Sequence, residues 1–261
     1  DQIQFEHHSQ PLKSRSLVGL IPLIAVAILD GEKVDRVPGF KKRFEWFLNN
    51  KKNLSRHLTK QETKSGVRWL LSIPSKQRLE SILGYLTDEN EFLSPYGIRS
   101  LSKYHEESPF EFEQAGYTHS VDYTPGESTT WMFGGNSNWR GPIWFPVNYL
   151  IMESLVTYSN FYGDQIQVNI KGHDKPMQLN ELSIEIGKRL LSIFYKNADG
   201  VRPFAGEHPS LNEEKSWQNL IYFHEYFHAE SGKGLGASHQ TGWTALATSI
   251  QDWIKQGKPI H

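Results

Sequence analysis

Apolar residues recur every three to four positions in five windows of this chain, the spacing that gathers them on one face of a helix. Leu17, Leu20, Ile21, Ile24, Ala25 and Ile28 form the first window, and Leu79, Ile82, Leu83 and Leu86 the second. Val147, Leu150, Ile151, Leu155 and Tyr158 form the third, and Leu179, Leu182, Ile186, Leu190, Ile193 and Phe194 the fourth. Trp243, Leu246, Ala247, Ile250 and Ile254 make the fifth. The pattern predicts about seven helices in all. Pro146 suits the first turn of the helix that carries Val147, and Asn180 is placed to cap the next. Strand character is confined to short alternations such as Gln165-Ile166-Gln167-Val168-Asn169-Ile170, read as a hairpin or an excursion between helices. The segments 88–108, 122–141 and 197–216 are long and rich in Gly, Pro, Ser and aromatics. Loops of that length in a compact domain tend to carry function. No fixed-period repeat and no low-complexity tract interrupts this picture of helices whose loops converge.

Composition narrows the classes. With 261 residues, 38% hydrophobic and 13% aromatic, the chain can bury a substantial core. Twenty-eight basic residues against 29 acidic give a net charge of −1, which favours neither nucleic acid nor an anionic membrane as partner and makes a neutral substrate the default. The absence of cysteine excludes disulfides, thiolate metal sites and thiol nucleophiles. It is compatible with any compartment, and the cytoplasm is the expectation. The most apolar run, Leu17 to Leu29, contains Gly19 and Pro22 and falls short of the roughly twenty residues that cross a bilayer, so no membrane span is expected. The chain starts at Asp1 without a charged-then-apolar leader, and is expected to be a piece of something longer.

Two stretches carry chemistry. Residues 134–149 read Gly-Gly-Asn-Ser-Asn-Trp-Arg-Gly-Pro-Ile-Trp-Phe-Pro-Val-Asn-Tyr at the mouth of a predicted helix. Flat indoles stack on the C–H faces of a pyranose, a guanidinium and side-chain amides hydrogen-bond its hydroxyls, and glycines allow close backbone approach. A tryptophan-rich corner of the core is the competing reading of the same residues. The second stretch, 222–243, sets Glu225 among aromatics and imidazoles, then a run of glycines, then Trp243. Apolar surroundings tend to raise a carboxyl pKa, which suits acid or base work.

Other motifs compete. His224-Glu225-Tyr226-Phe227-His228 satisfies H-E-x-x-H, which on a helix presents two imidazoles to zinc with the glutamate as base. A third ligand is missing, Ser231 stands where the longer zinc signature needs glycine, and Gly232, Gly234 and Gly236 interrupt the helix. No metal and no cofactor are therefore expected. The glycine runs lack the context of a nucleotide-binding loop, and Asn197-Ala198-Asp199-Gly200 reads as a turn. Asp88-Glu89-Asn90-Glu91 reads as a solvated helix end.

Together the two stretches resemble glycoside hydrolase family 63, in its mannosyl-oligosaccharide glucosidase-like and mannosylglycerate hydrolase-like branch. The residues that carry the resemblance are Ser94-Pro95-Tyr96-Gly97-Ile98-Arg99-Ser100-Leu101, the block Asn138-Trp139-Arg140-Gly141-Pro142-Ile143-Trp144 with Asn148-Tyr149-Leu150, and Glu225-Tyr226-Phe227 to Gly242-Trp243. The resemblance runs from about Arg15 to about Ala247. It implies a mainly α fold, an (α/α)6 toroid of which residues 1–261 form the C-terminal portion. It implies an inverting O-glycosyl hydrolase acting on a glucose- or mannose-containing oligosaccharide or glycoside. Glu225 matches the family's general base, and Tyr96, Arg99, Trp139, Arg140, Trp144, Asn148, Tyr149, His239 and Trp243 would line the sugar subsites. The family's general acid is an aspartate upstream of Leu17-Val18-Gly19-Leu20-Ile21-Pro22, outside this chain, so the N-terminal portion of the same enzyme is an expected partner. Asp122 and Glu127 are the nearby substitutes. A carbohydrate-binding or scaffolding helical domain without catalysis is the rival reading, and a zinc peptidase a more distant one.

Overall fold

A computed structural model describes every residue except 1, 6, 7, 56, 65, 115, 209, 212, 213, 218, 240 and 258–261. In chain order the principal elements are strand β1 (Val26–Asp30), helix α1 (Pro38–Asn50), strands β2 (Leu58–Thr63) and β3 (Gly66–Ser72), and helix α2 (Lys76–Thr87). Strands β4 (Phe110–Gln114) and β5 (Tyr117–Val121) follow, then the long helices α3 (Phe145–Tyr162) and α4 (Leu179–Ser192). Strands β6 (Tyr226–Phe227) and β7 (Gly234–Leu235) and helix α5 (Leu246–Gln256) complete the set.

The mainly α expectation, with its (α/α)6 toroid, is overturned. Of the described residues 43% are helical and 21% lie in strands, distributed over several small antiparallel sheets. The first apolar window shows why. Pro22 and Gly19 break any long helix there, and residues 17–24 fold as two short 3-10 turns, Leu17–Gly19 and Ile21–Leu23. The β-branched run that follows becomes β1, which pairs with β3 in register Val26↔Ser72 to Asp30↔Arg68. β3 is central, with β2 on its other side from Leu58↔Leu71 to Thr63↔Gly66. A short apolar run without long-range context suits either element. The alternation Phe110-Glu111-Phe112-Glu113 builds a second hairpin, β4–β5, so strand is not confined to 165–170. In that region Gln167–Val168 pairs with Met177–Gln178.

The other four windows fold as helices, and they do so because each stripe finds a partner. α3 buries Ile151, Met152, Leu155 and Tyr158 against α4, which buries Leu182, Ile186 and Leu190 in return. α5 closes over both with Ala247, Ile250 and Trp253. Gly187 sits where the three helices meet: a Cβ there would lie 2.9 Å from Met152 Cε and 3.1 Å from Ile250 Cγ2. Pro146 occupies the first turn of α3 as expected. Asn180 does not cap α4. Gln178 does, in a reciprocal capping box with Glu181, because Leu179 is already helical. α3 also packs on β1, and Arg68 Nη1 in β3 donates to Asn160 O at 3.0 Å, tying the sheet to the helical layer in one continuous core. Among the described residues no helix is long and apolar enough to cross a membrane.

Candidate active site

The Trp-Arg-Gly-Pro block and the Glu225 block, about ninety residues apart, meet through the backbone. Ile143 N donates to Phe227 O at 2.8 Å and Phe227 N returns a bond to Ile143 O at 3.0 Å. Thr124 N donates to Arg140 O at 2.8 Å, and Ala229 N donates to Pro125 O at 2.9 Å, so loop 122–141 lies between the two blocks. Gly141 makes this possible. Its φ is +156°, and a Cβ would stand 2.1 Å from Thr124 O. Gly97 (φ +136°) serves similarly against Asn148 and Leu190.

At the junction the aromatics form a stack. Trp139 and Trp144 lie 4.1 Å apart at 5°, Trp144 and Tyr226 4.7 Å apart at 23°, and Trp243 meets Trp144 edge-on at 5.9 Å. Two rings at such short spacings cannot share one face of an indole, so Trp144 has both faces covered and is buried. Trp139, half-buried, keeps its outer side. With Gln2, Gln4, Ser16, Ser100 and Arg140 it lines a cavity of about 490 Å³. Burial pulls the Arg140 guanidinium down to about 10; it lies 3.9 Å over the Phe133 ring and donates from Nη1 to Trp139 O at 3.2 Å.

Glu225 is half-buried beside this stack. Trp243 Nε1 donates to its backbone oxygen at 2.8 Å, and Ala237 N donates to its Oε2 at 3.4 Å. Trp243 itself is partly exposed, and His239 is exposed two residues beyond Ala237. Gln240, within the same block, lies outside the described residues.

Three of the expected sugar contacts are engaged elsewhere. Arg99 is 2% exposed and donates to Glu230 Oε1 from Nε (2.9 Å) and Nη2 (2.7 Å), to Tyr123 Oη (3.1 Å), and from Nη1 to the carbonyls of Glu89, Glu91 and Leu93. Asn148 is fully buried; its Oδ1 accepts from Ile98 N at 2.7 Å, and its Nδ2 donates to Ile98 O and Trp144 O. Tyr149 packs edge-on against Trp253 at 5.9 Å. Tyr96, half-buried, lies against Gly232, where a Cβ would stand 2.8 Å from its Cε1. Glu91, read as part of a solvated run, is buried and pairs with Arg15 and Ser102.

His224 and His228 flank the short strand β6 instead of sharing a helix face. Both are held below the ordinary histidine value, chiefly by burial. Among the described residues His224 Nδ1 has no hydrogen-bond partner, and the ring lies over Gly234. Among the described residues no group of three or more His, Asp or Glu could hold a metal. Asp122 is half-buried, and Glu127, in contrast, reaches the Glu225 hairpin by accepting from Tyr226 Oη at 2.7 Å. Tyr226 was not among the expected site residues, although it follows Glu225 directly in the sequence.

Comparison with known proteins bears on this arrangement. The chain is 46% identical over 259 residues, 97% of its length, to an uncharacterized protein of Saccharomyces cerevisiae. It is 29% identical over 173 residues to a probable mannosyl-oligosaccharide glucosidase of Schizosaccharomyces pombe, and 26% over 174 residues to the mannosyl-oligosaccharide glucosidase of Saccharomyces cerevisiae, each covering 66% of this chain. The chain spans 24% of the first relative's length and 15% of each of the other two. Residues 66–181, which hold the Trp-Arg-Gly-Pro block, match the C-terminal domain of glycosyl hydrolase family 63.

Proposed function

We propose that this chain supplies part of the active site of a glycoside hydrolase that acts by inversion on a glucose- or mannose-containing oligosaccharide or glycoside, with Glu225 as general base. The observation that carries the reading is the family 63 match over residues 66–181, together with two relatives named as glucosidases. The placement of Glu225 supports it: the residue is half-buried, its backbone oxygen accepts from Trp243 Nε1, and its charge acts on Tyr226, which stacks on Trp144. In an inverting hydrolysis the base takes a proton from a water that attacks the anomeric carbon, while a carboxylic acid roughly 6.5–9.5 Å away protonates the departing oxygen from the other side of the sugar. The N-terminal portion of the same protein is the proposed source of that acid. Trp139 and Arg140, which line a cavity, and the exposed Trp243 and His239 are the proposed sugar contacts.

The test uses the full-length protein and oligosaccharides ending in glucose or mannose, with the first-formed anomer read by proton NMR. Hydrolysis with inverted configuration is expected. Glu225→Gln should lower kcat by about 10²–10⁴-fold with KM little changed, the range of a general base. Near-normal turnover by Glu225→Gln refutes the assignment, and a wild-type protein that binds the sugars without cleaving them establishes a binding domain instead.

A further inference from the structure

Two carboxylates hold one turn of the Glu225 hairpin. Gly236 N donates to Glu127 Oε1 at 3.4 Å, and one residue later Ala237 N donates to Glu225 Oε2 at 3.4 Å. Glu225 N closes the second link by donating to Ala237 O at 2.8 Å. Between the carboxylates stands Tyr226, buried in the aromatic stack, with its hydroxyl donating to Glu127 Oε2 at 2.7 Å. Burial raises that phenol above its ordinary value, and so do the hydrogen bond and charge of Glu127 and the charge of Glu225, which places both carboxylates near it. Gly236 allows little play in the turn. Its φ is +65°, and a Cβ would lie 2.7 Å from Glu225 Oε2 and 2.7 Å from Tyr226 Cε1. Glu127 comes from loop 122–141, a different part of the chain, and is itself exposed.

We infer that Glu127 is a positioning residue: through Tyr226 and the 236–237 turn it sets where the Glu225 carboxylate stands. The inference rests on Glu225 being the base. Glu127 has two acceptor oxygens, and each is used by a different donor of the hairpin. Gln in its place keeps one acceptor and turns the amide nitrogen toward a donor, while Ala removes both. The hairpin then shifts by fractions of an ångström. Such a shift matters to a base that must meet a water at one face of a sugar, where misplacement by about 1 Å is worth about 10²-fold in rate.

The experiment measures kcat and KM of the full-length protein on a glucose- or mannose-terminated oligosaccharide, with thermal unfolding followed in parallel. Glu127→Ala is expected to lower kcat roughly 10- to 100-fold, with KM changed less than about threefold and unfolding unchanged. Tyr226→Phe, which keeps the ring in the stack and removes one of the two bonds, is expected to reproduce part of the Glu127→Ala loss. The double variant should then be no slower than Glu127→Ala, because the bond that Tyr226→Phe removes is already absent there. Unchanged kcat in Glu127→Ala overturns the inference, as do additive losses in the double variant. A loss as deep as that of Glu225→Gln, relieved by added azide, makes Glu127 a carboxylate that acts on the substrate and also overturns it. If Glu225→Gln itself turns over normally, the base reading fails and takes this inference with it. Failure of Glu127→Ala alone leaves the base reading standing.

Discussion

Arg99→Met separates a residue that binds sugar from one that holds the fold. The side chain is 2% exposed and its guanidinium faces Glu230, the Tyr123 hydroxyl and three backbone carbonyls. Met fills similar length with no donor. The carbonyls of Glu89, Glu91 and Leu93 each lose their guanidinium donor, and Glu230 keeps a charge with its principal partner gone. Breaking a buried pair from one side costs about 3–5 kcal/mol. The Glu230 side chain is 29% exposed and retains Tyr123 and, at 3.9 Å, Lys103, so the lower part of that range applies, about 3–4 kcal/mol. For a domain of this size the unfolding midpoint should fall by about 6–16 °C. Glu230→Gln added to Arg99→Met should recover part of the loss, since no orphan charge remains. Acid behaviour follows the same pair. Burial by itself would raise the Glu230 carboxyl, but the Tyr123 hydroxyl, Arg99 and Lys103 outweigh it and hold the carboxyl below its ordinary 4.5. The pair's contribution is therefore complete above that value and is lost as pH falls through the lower folded one. Thermal unfolding across pH, with KM measured in parallel, checks the reasoning. A midpoint within about 2 °C of wild type, less than 1 kcal/mol in a domain of this size, with KM alone raised would refute it and return Arg99 to the sugar site.

Gly141→Ala combines a strained positive φ with a Cβ placed 2.1 Å from Thr124 O, and it should also loosen the Gly141 N to Ser100 Oγ bond. Destabilisation of about 3 kcal/mol is expected, read from urea midpoints; a neutral outcome would mean that loop 122–141 does not lie against the block. Trp144→Ala, with both indole faces covered, should lower stability by about 3–5 kcal/mol; an unchanged melt with weakened inhibitor binding would make it a sugar platform after all. His224 and His228 are held below their ordinary 6.5 mainly by burial, so the unfolded chain takes up protons that the folded one refuses. Stability should be complete above about pH 7 and decline as pH falls through about 6.5, and changing both to Gln should flatten that slope in a pH series of unfolding midpoints.

The sequence by itself determined four of the helical segments, those at 76–87, 145–162, 179–192 and 246–256, because their apolar stripes are long enough for the 3.6-residue period to be unambiguous. It also marked the chemistry: the Trp-Arg-Gly-Pro block and the carboxylate of Glu225 among aromatics are local patterns, and the family match over 66–181 includes the first of them. Only the tertiary structure decided the rest. The apolar run 17–29 became 3-10 turns and a strand because β3, forty residues on, offered it a ladder that no local pattern announces. The same limit applies to the site. Whether an indole or a guanidinium is free to touch a ligand depends on what lies over it, and for Trp144 the cover is Trp139 and Tyr226, for Arg99 it is Glu230 and Tyr123. Periodicity tells a side chain which face to bury. It cannot name the neighbour, because the neighbour comes from a segment up to 131 residues away, brought in by backbone pairing such as that of Ile143 with Phe227.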